Sequence, residues 1–309
     1  MWSPTVIKRV MGKQRVSLND MKVAIEAVKI LKVPNDSTIV EISPGVGFLT
    51  HALLHSTNAR KIIALENDKK YVNELSTLVK ESDGRLEILN IDVYKWDTYD
   101  HIKSHLSHIK IHPWEEVHPN LISLIHLPNT SRGEISINKL LSNCYNKSGL
   151  HSFGRSRMNF FAPEKAAEKI LAKEGELQRH KLKIELEAIA DIEVLKIFPE
   201  KAFYPNIQCA LFGVTPLVEP RLQGSWLTFE FVIKTLMSRK NAKVIEMLST
   251  LGAGANTIAK DLSFDLNMPV RNMTAENYSE LSIIFDKWPF KPDYIDDIYI
   301  PPPKHKKRW

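Results

Sequence analysis

The chain has almost no cysteine. Only Cys144 and Cys209 occur in 309 residues, so neither a disulfide framework nor a Cys-x-x-Cys metal knuckle can be drawn, and a reducing compartment is expected. A long apolar run is also missing. The stretch around Leu121 to Leu127 falls far short of the ~20 residues that cross a bilayer, so a soluble chain with no membrane insertion is expected; we expect it to be a monomer. Nor is there an acidic surplus: the formal net charge is +6, which favours an anionic partner without naming one.

The positive charge gathers at the two ends. Lys304, Lys306, Lys307 and Arg308 follow three prolines, forming a basic tail that cannot continue a helix. At the other end Lys8, Arg9, Lys13 and Arg15 precede the first acid, Asp20, as in an arginine-containing mitochondrial transit segment. With 309 residues and 43% hydrophobic content, the chain can hold one sizeable core and a smaller one. We expect an α/β domain over 1–222, a helical nucleic-acid-binding domain over 223–296 and a flexible tail over 297–309.

Periodicity supports that division. Apolar residues at Val23, Ala24, Ala27, Val28 and Leu31 repeat as on an amphipathic helix. Short apolar runs at 37–42, 61–65, 86–89 and 121–125 read as strands, separated by helical stretches at 48–55 and 69–80, which predicts a doubly wound α/β sheet. A helix carrying His101, His105, His108 and His112 on one face is expected between the third and fourth strands. Imidazoles four residues apart can share a zinc ion. No carboxylate or cysteine completes that set at a ligand-like spacing, so a solvated face and no metal is the expectation. Beyond Gly224 the pattern turns purely helical, over 227–237, 242–251 and 275–285. Lys234, Arg239, Lys240 and Lys243 sit beside a predicted turn there, a cluster suited to phosphates.

The chemistry gathers at strand ends. Glu41-Ile-Ser-Pro-Gly45-Val-Gly47-Phe-Leu-Thr50 lies where the first strand turns into a helix, and its glycines allow backbone to approach a ligand. Glu66 ends the second strand, where a carboxylate accepts from ribose hydroxyls. Asp92, past the third, is placed to accept from an adenine amino group. Together they outline a nucleoside pocket.

These residues resemble the rRNA adenine-N6,N6-dimethyltransferases and their descendants, the mitochondrial transcription factors B. The resemblance implies a Rossmann-like class I methyltransferase domain followed by a small helical one. It also implies S-adenosylmethionine, with binding either retained or vestigial, at Leu18, Gly45, Glu66, Asp92 and His126. The segment from Phe153 through Arg155 and Arg157 to Ala172 is similar to the strand and helix after that family's catalytic loop, and its two arginines are assigned to nucleic acid. Phe198-Pro199 with Ala202-Phe203-Tyr204-Pro205 resembles another family segment, without its second proline.

The catalytic loop departs from the pattern. The family's Asn-Leu-Pro-aromatic tetrad reads His126-Leu127-Pro128-Asn129 here. The asparagine carbonyl steers the adenine amine toward the methyl donor, and the aromatic ring stacks the flipped base; both roles are compromised. Near the end, Trp288-Pro289-Phe290-Lys291-Pro292-Asp293 is similar to a stretch of fungal mitochondrial RNA polymerase specificity factors. The resemblance thus implies a non-enzymatic initiation factor of the mitochondrial matrix, partnered by mitochondrial RNA polymerase and promoter DNA. The alternative it leaves open is an rRNA adenine dimethyltransferase acting on small-subunit rRNA.

Overall fold

In the computed structural model, residues 15–95 and 98–293 are described. They form two compact units, one of the described residues up to 171 with 189–220 and the other of 172–188 with 221–293. The first unit is built on a seven-stranded sheet. In chain order its region contains β1 (Ser17–Leu18), α1 (Met21–Leu31), β2 (Thr38–Ile42), α2 (Phe48–Ser56), β3 (Lys61–Leu65), α3 (Lys69–Glu81), β4 (Leu86–Leu89) and α4 (Thr98–Ile102). There follow β5 (Val117–His126), α5 (Ser131–Tyr145), β6 (Arg155–Pro163), α6 (Glu164–Leu171), then α7 (Lys181–Ile189), which belongs to the second unit, and β7 (Ala190–Phe198), β8 (Phe203–Tyr204) and β9 (Cys209–Pro216) of the first. The sheet order is β4-β3-β2-β5-β6-β9-β7. Its first five strands run parallel, and β9 lies antiparallel to both neighbours.

Central parallel strands are covered on both faces and therefore read as continuous apolar runs. β2 is buried at every position, including Glu41, whose burial needs a separate account. Register then aligns the strand ends. Ile42 pairs with Leu65 on one side and with Ile125 on the other, so Ser43, Glu66 and His126 emerge side by side at one edge of the sheet. α1 is capped by Asp20, whose carboxylate accepts from the Lys22 and Val23 backbone amides. That cap fixes where the chain enters after β1, which pairs with β8 in a separate two-stranded sheet.

The expected histidine helix does not form. α4 ends at Ile102 and the chain continues as a 3-10 turn over Lys103–Leu106. A 3-10 segment has three residues per turn, so the spacing of four, three and four no longer stacks the rings. His105 Nδ1 lies 2.6 Å from Glu87, His108 Nε2 2.8 Å from Thr38 Oγ1, and His112 Nε2 3.2 Å from Glu116.

The second unit is helical. α8 (Trp226–Leu236), α9 (Val244–Met247) and α10 (Ala275–Asp286) are joined by 3-10 turns at 237–239, 248–250, 255–261 and 270–272. Ser225 caps α8, and Thr274 with Asn277 forms a reciprocal capping box at α10. The two long helices are tied by Thr228 Oγ1 donating to Asp286 at 2.8 Å and by stacked Phe231 and Phe285. Although composition shifts only at Gly224, residues 172–188 fold with this unit. Arg179 explains why: fully buried, it donates to Glu187 at 2.9 Å and to the Met273 carbonyl at 3.2 Å. Trp288 stacks on Phe285 and pins the end of α10, whereas Phe290 is 74% exposed.

Candidate functional site: a pocket at the strand ends

The loop between β2 and α2 brings backbone close to β1. Gly45 has φ +64, and a Cβ there would lie 3.0 Å from Ser17 Oγ. Leu18, the next residue of β1, is buried and paired with Phe203, so β1 and this loop are held together beside the strand ends.

A cavity of about 230 Å³ opens there, lined among others by Arg15, Ser43, Glu66, Asp68, Tyr94 and Thr130. Glu66 is 1% exposed. Both of its oxygens are already engaged: Arg15 Nη1 donates to one at 2.9 Å and Nη2 to the other at 2.7 Å, while the Asp68 amide adds 3.0 Å. The guanidinium also lies 4.5 Å from the Tyr71 ring centroid. Burial works against its charge, but the hydrogen bonds and negative charge of Glu66 more than offset this and hold the Arg15 pKa above its ordinary value. In the sequence, Arg15 reads as the last cation of a basic, transit-like stretch. In the structure it is a pocket residue. Lys8, Arg9 and Lys13 lie outside the described residues.

Asp92 takes the place expected of it past β4, but its carboxylate accepts from the Tyr94 amide at 3.0 Å, and its carbonyl takes the Thr98 hydroxyl. It shapes the turn that presents Tyr94. With Glu66 bound in this way, the residues present do not fit S-adenosylmethionine as they are arranged, because the carboxylate that would receive the ribose hydroxyls already holds three donors.

The other half of the site centres on Glu41. This carboxylate is fully buried, accepts from Thr50 Oγ1 at 2.7 Å, and lies 3.0 Å from His126 Nε2. The His126 ring stacks on Phe161 with centroids 5.3 Å apart and planes 7° from parallel. Leu127 is buried, and its amide donates to the Phe161 carbonyl at 2.9 Å. Pro128 is half-buried and Asn129 exposed. The tetrad is thus a packed corner in which His126 faces inward. Glu41 was legible only as part of the glycine loop, since its bond to His126 spans 85 residues.

The cations assigned to nucleic acid divide into two groups. The Arg155 guanidinium donates to the carbonyls of Trp114, Glu115 and Pro216, which makes it a clamp on the β5 and β9 flanks. Arg157 pairs with Glu193. In the second unit Lys240 donates to the carbonyls of Leu177 and Arg179, whereas Lys234, Arg239 and Lys243 are exposed. Lys304, Lys306, Lys307 and Arg308 lie outside the described residues. One potential metal group was not legible: His51 and His55, one turn apart on α2, and Glu81 from α3 place their ligand atoms within 4.8 Å of one another. The sequence hid it because Glu81 is remote along the chain.

The model of a family described as ribosomal RNA adenine dimethylase matches residues 13–287. The mitochondrial dimethyladenosine transferase 1 of Xenopus tropicalis is 23% identical over 221 residues, covering 71% of this chain and 62% of that protein. The chain therefore spans less than two thirds of that relative's length. Mitochondrial transcription factor 1 of Saccharomyces paradoxus is 23% identical over 327 aligned positions, covering 96% of this chain and 90% of that one. A crystal structure of a dimethyladenosine transferase from Plasmodium falciparum has a TM-score of 0.61 at 15% identity, over 88% of this chain and 98% of that one, which establishes a common fold.

Proposed function

The chain belongs to the ribosomal RNA adenine dimethylase family, and on that premise we propose that it keeps the fold without the base chemistry. In this reading it works in the mitochondrial matrix as a transcription initiation factor that binds mitochondrial RNA polymerase and promoter DNA and assists promoter recognition and melting. One observation carries it: the corner at His126. Adenine-N6 transfer needs an acceptor that orients the amine and a face that stacks the flipped base. His126 Nε2 is committed to Glu41 and one face of its ring to Phe161. Asn129, exposed at the end of the tetrad, has no ring to stack a base, a contact worth about 1–3 kcal/mol. Similarity to the Saccharomyces paradoxus factor along nearly the whole chain supports the same direction, as do the exposed Lys234, Arg239 and Lys243, which are free to meet phosphates.

Run-off transcription with purified mitochondrial RNA polymerase tests the proposal. Added protein should raise specific initiation on a linear duplex promoter and have a smaller effect on a pre-melted one. No stimulation on either template overturns it. Transfer of labelled methyl groups to adjacent adenines of small-subunit rRNA would instead establish the dimethyltransferase alternative.

A further inference from the structure

The ribose end of the pocket already contains a ligand, and that ligand is part of the chain. Two hydroxyls on neighbouring sugar carbons would each donate to one oxygen of Glu66. The Arg15 guanidinium presents two parallel N–H donors in the same role, at 2.9 and 2.7 Å. Such a fork matches a carboxylate in plane and spacing. With the Asp68 amide as third donor, Glu66 has little acceptor capacity left in a setting where it is 1% exposed.

Arg15 is also anchored. One side of its guanidinium faces Tyr71, and the residues that follow it, Ser17 and Leu18, pair with Tyr204 and Phe203. The cavity that remains, about 230 Å³, lies below the ~300–1,000 Å³ usual for pockets that enclose a drug-sized ligand. Arg15 itself lines that space, at the end where Glu66 would meet a sugar.

We infer that Arg15 is an internal stand-in for the ribose diol: its guanidinium closes the nucleoside pocket on Glu66, and a nucleoside of the S-adenosylmethionine class enters only when Arg15 leaves. The inference does not rest on the transcriptional reading, since a closed pocket is compatible with either function. It separates fold from cofactor, because the buried carboxylate, which would otherwise keep only the Asp68 amide, is satisfied by the chain itself.

The test is calorimetric titration of S-adenosylhomocysteine into the wild-type chain and into Arg15→Ala and Arg15→Gln. A pocket closed nine-tenths of the time or more weakens apparent affinity by at least about tenfold. Both variants should therefore bind at least tenfold more tightly than wild type, and the ligand should raise their melting temperature more than that of wild type. Equal affinities overturn the inference, and so do folded variants that do not bind. A second measurement compares adenosine with 2′,3′-dideoxyadenosine on the Arg15→Gln variant. With Glu66 released, adenosine should bind more tightly than the dideoxy nucleoside and more tightly than it binds wild type, because both states of the pocket scale the apparent affinity of a ligand. Equal binding of the two nucleosides to the variant would mean that Glu66 does not receive the diol, and the stand-in role would be lost.

Discussion

A single buried imidazole gives this fold a built-in sensitivity to acid. His151 is 2% exposed, and burial pushes its pKa down to about 4. In the unfolded chain the same ring takes up a proton near pH 6.5. Above that pH both states are neutral and His151 contributes no pH dependence. Between about 6.5 and 4 the unfolded chain holds a proton that the folded chain refuses, so stability falls as pH falls. At about 1.4 kcal/mol per pH unit, roughly 2 kcal/mol should be lost between pH 7.5 and pH 5. His108 and His118, whose pKa values are also lowered chiefly by burial, act in the same direction. Urea midpoints at the two pH values for wild type and His151→Gln check this, and a variant with an unchanged pH slope would refute it. Glu41 is the second residue-scale case. Removing it leaves Thr50 and His126 without their common partner, at about 1–3 kcal/mol for each stranded group, so Glu41→Ala should cost clearly more than Thr50→Val, for which about 1 kcal/mol is expected. A smaller loss for the glutamate change would mean that it is not the hub of this corner. Glu66 and His126 were legible because strand ends and a loop motif mark them. Arg15 was not, because its partner is 51 residues away and nothing in the local pattern separates a pocket arginine from a solvated one.

Elements meet at places where a single atom is too many. Gly47 begins α2 with φ +89, and a Cβ there would stand 2.6 Å from Leu75 Cδ2 and 3.1 Å from Leu78 Cδ1, both on α3. Gly84 has a similar φ of +76 with nothing within 4 Å. Alanine at either position carries the strain of left-handed backbone, about 1–3 kcal/mol. Only Gly47→Ala also overpacks the contact between helices, which adds roughly 1–3 kcal/mol. Thermal unfolding of the two variants should therefore rank Gly47→Ala well below Gly84→Ala, and equal losses would remove α3 from the account. Periodicity revealed α1, α2, α3, α8, α10 and the parallel strands β2 to β5, since their apolar spacing is set by the same burial seen here. It passed over α5, α7, β7 and β9, and it read 242–251 as one helix where only Val244–Met247 is α-helical before a 3-10 turn. It missed β1 and β8, two residues each, which are too short to show alternation. It overcalled the histidine segment, because spacing alone cannot distinguish an α-helix that continues from one that tightens into a 3-10 turn after Ile102.

At the scale of the whole molecule, a net charge of +6 counts cations without saying which are available. Arg155 is bonded to three backbone carbonyls, Lys240 to two, and Arg157 faces Glu193. Their charge still contributes to the field around the protein, but each already donates to a partner within the chain. Lys234, Arg239 and Lys243 are exposed. These two classes should behave differently on DNA. Each phosphate neutralised releases counterions, so the logarithm of the binding constant falls with the logarithm of salt by about 0.9 per contact on duplex DNA. Replacing Lys234, Arg239 and Lys243 together by alanine should flatten that slope by up to about 3 while leaving the urea midpoint nearly unchanged. Arg155→Ala should do the reverse, lowering the midpoint because three carbonyls lose their donor, and leaving the salt slope close to wild type. Fluorescence anisotropy on a promoter duplex across a salt series, with unfolding curves for the same proteins, separates them. A steep wild-type slope that survives the triple substitution would move the DNA contact away from the second unit. A slope that collapses in Arg155→Ala without loss of stability would place it on the strand that the clamp was thought only to hold.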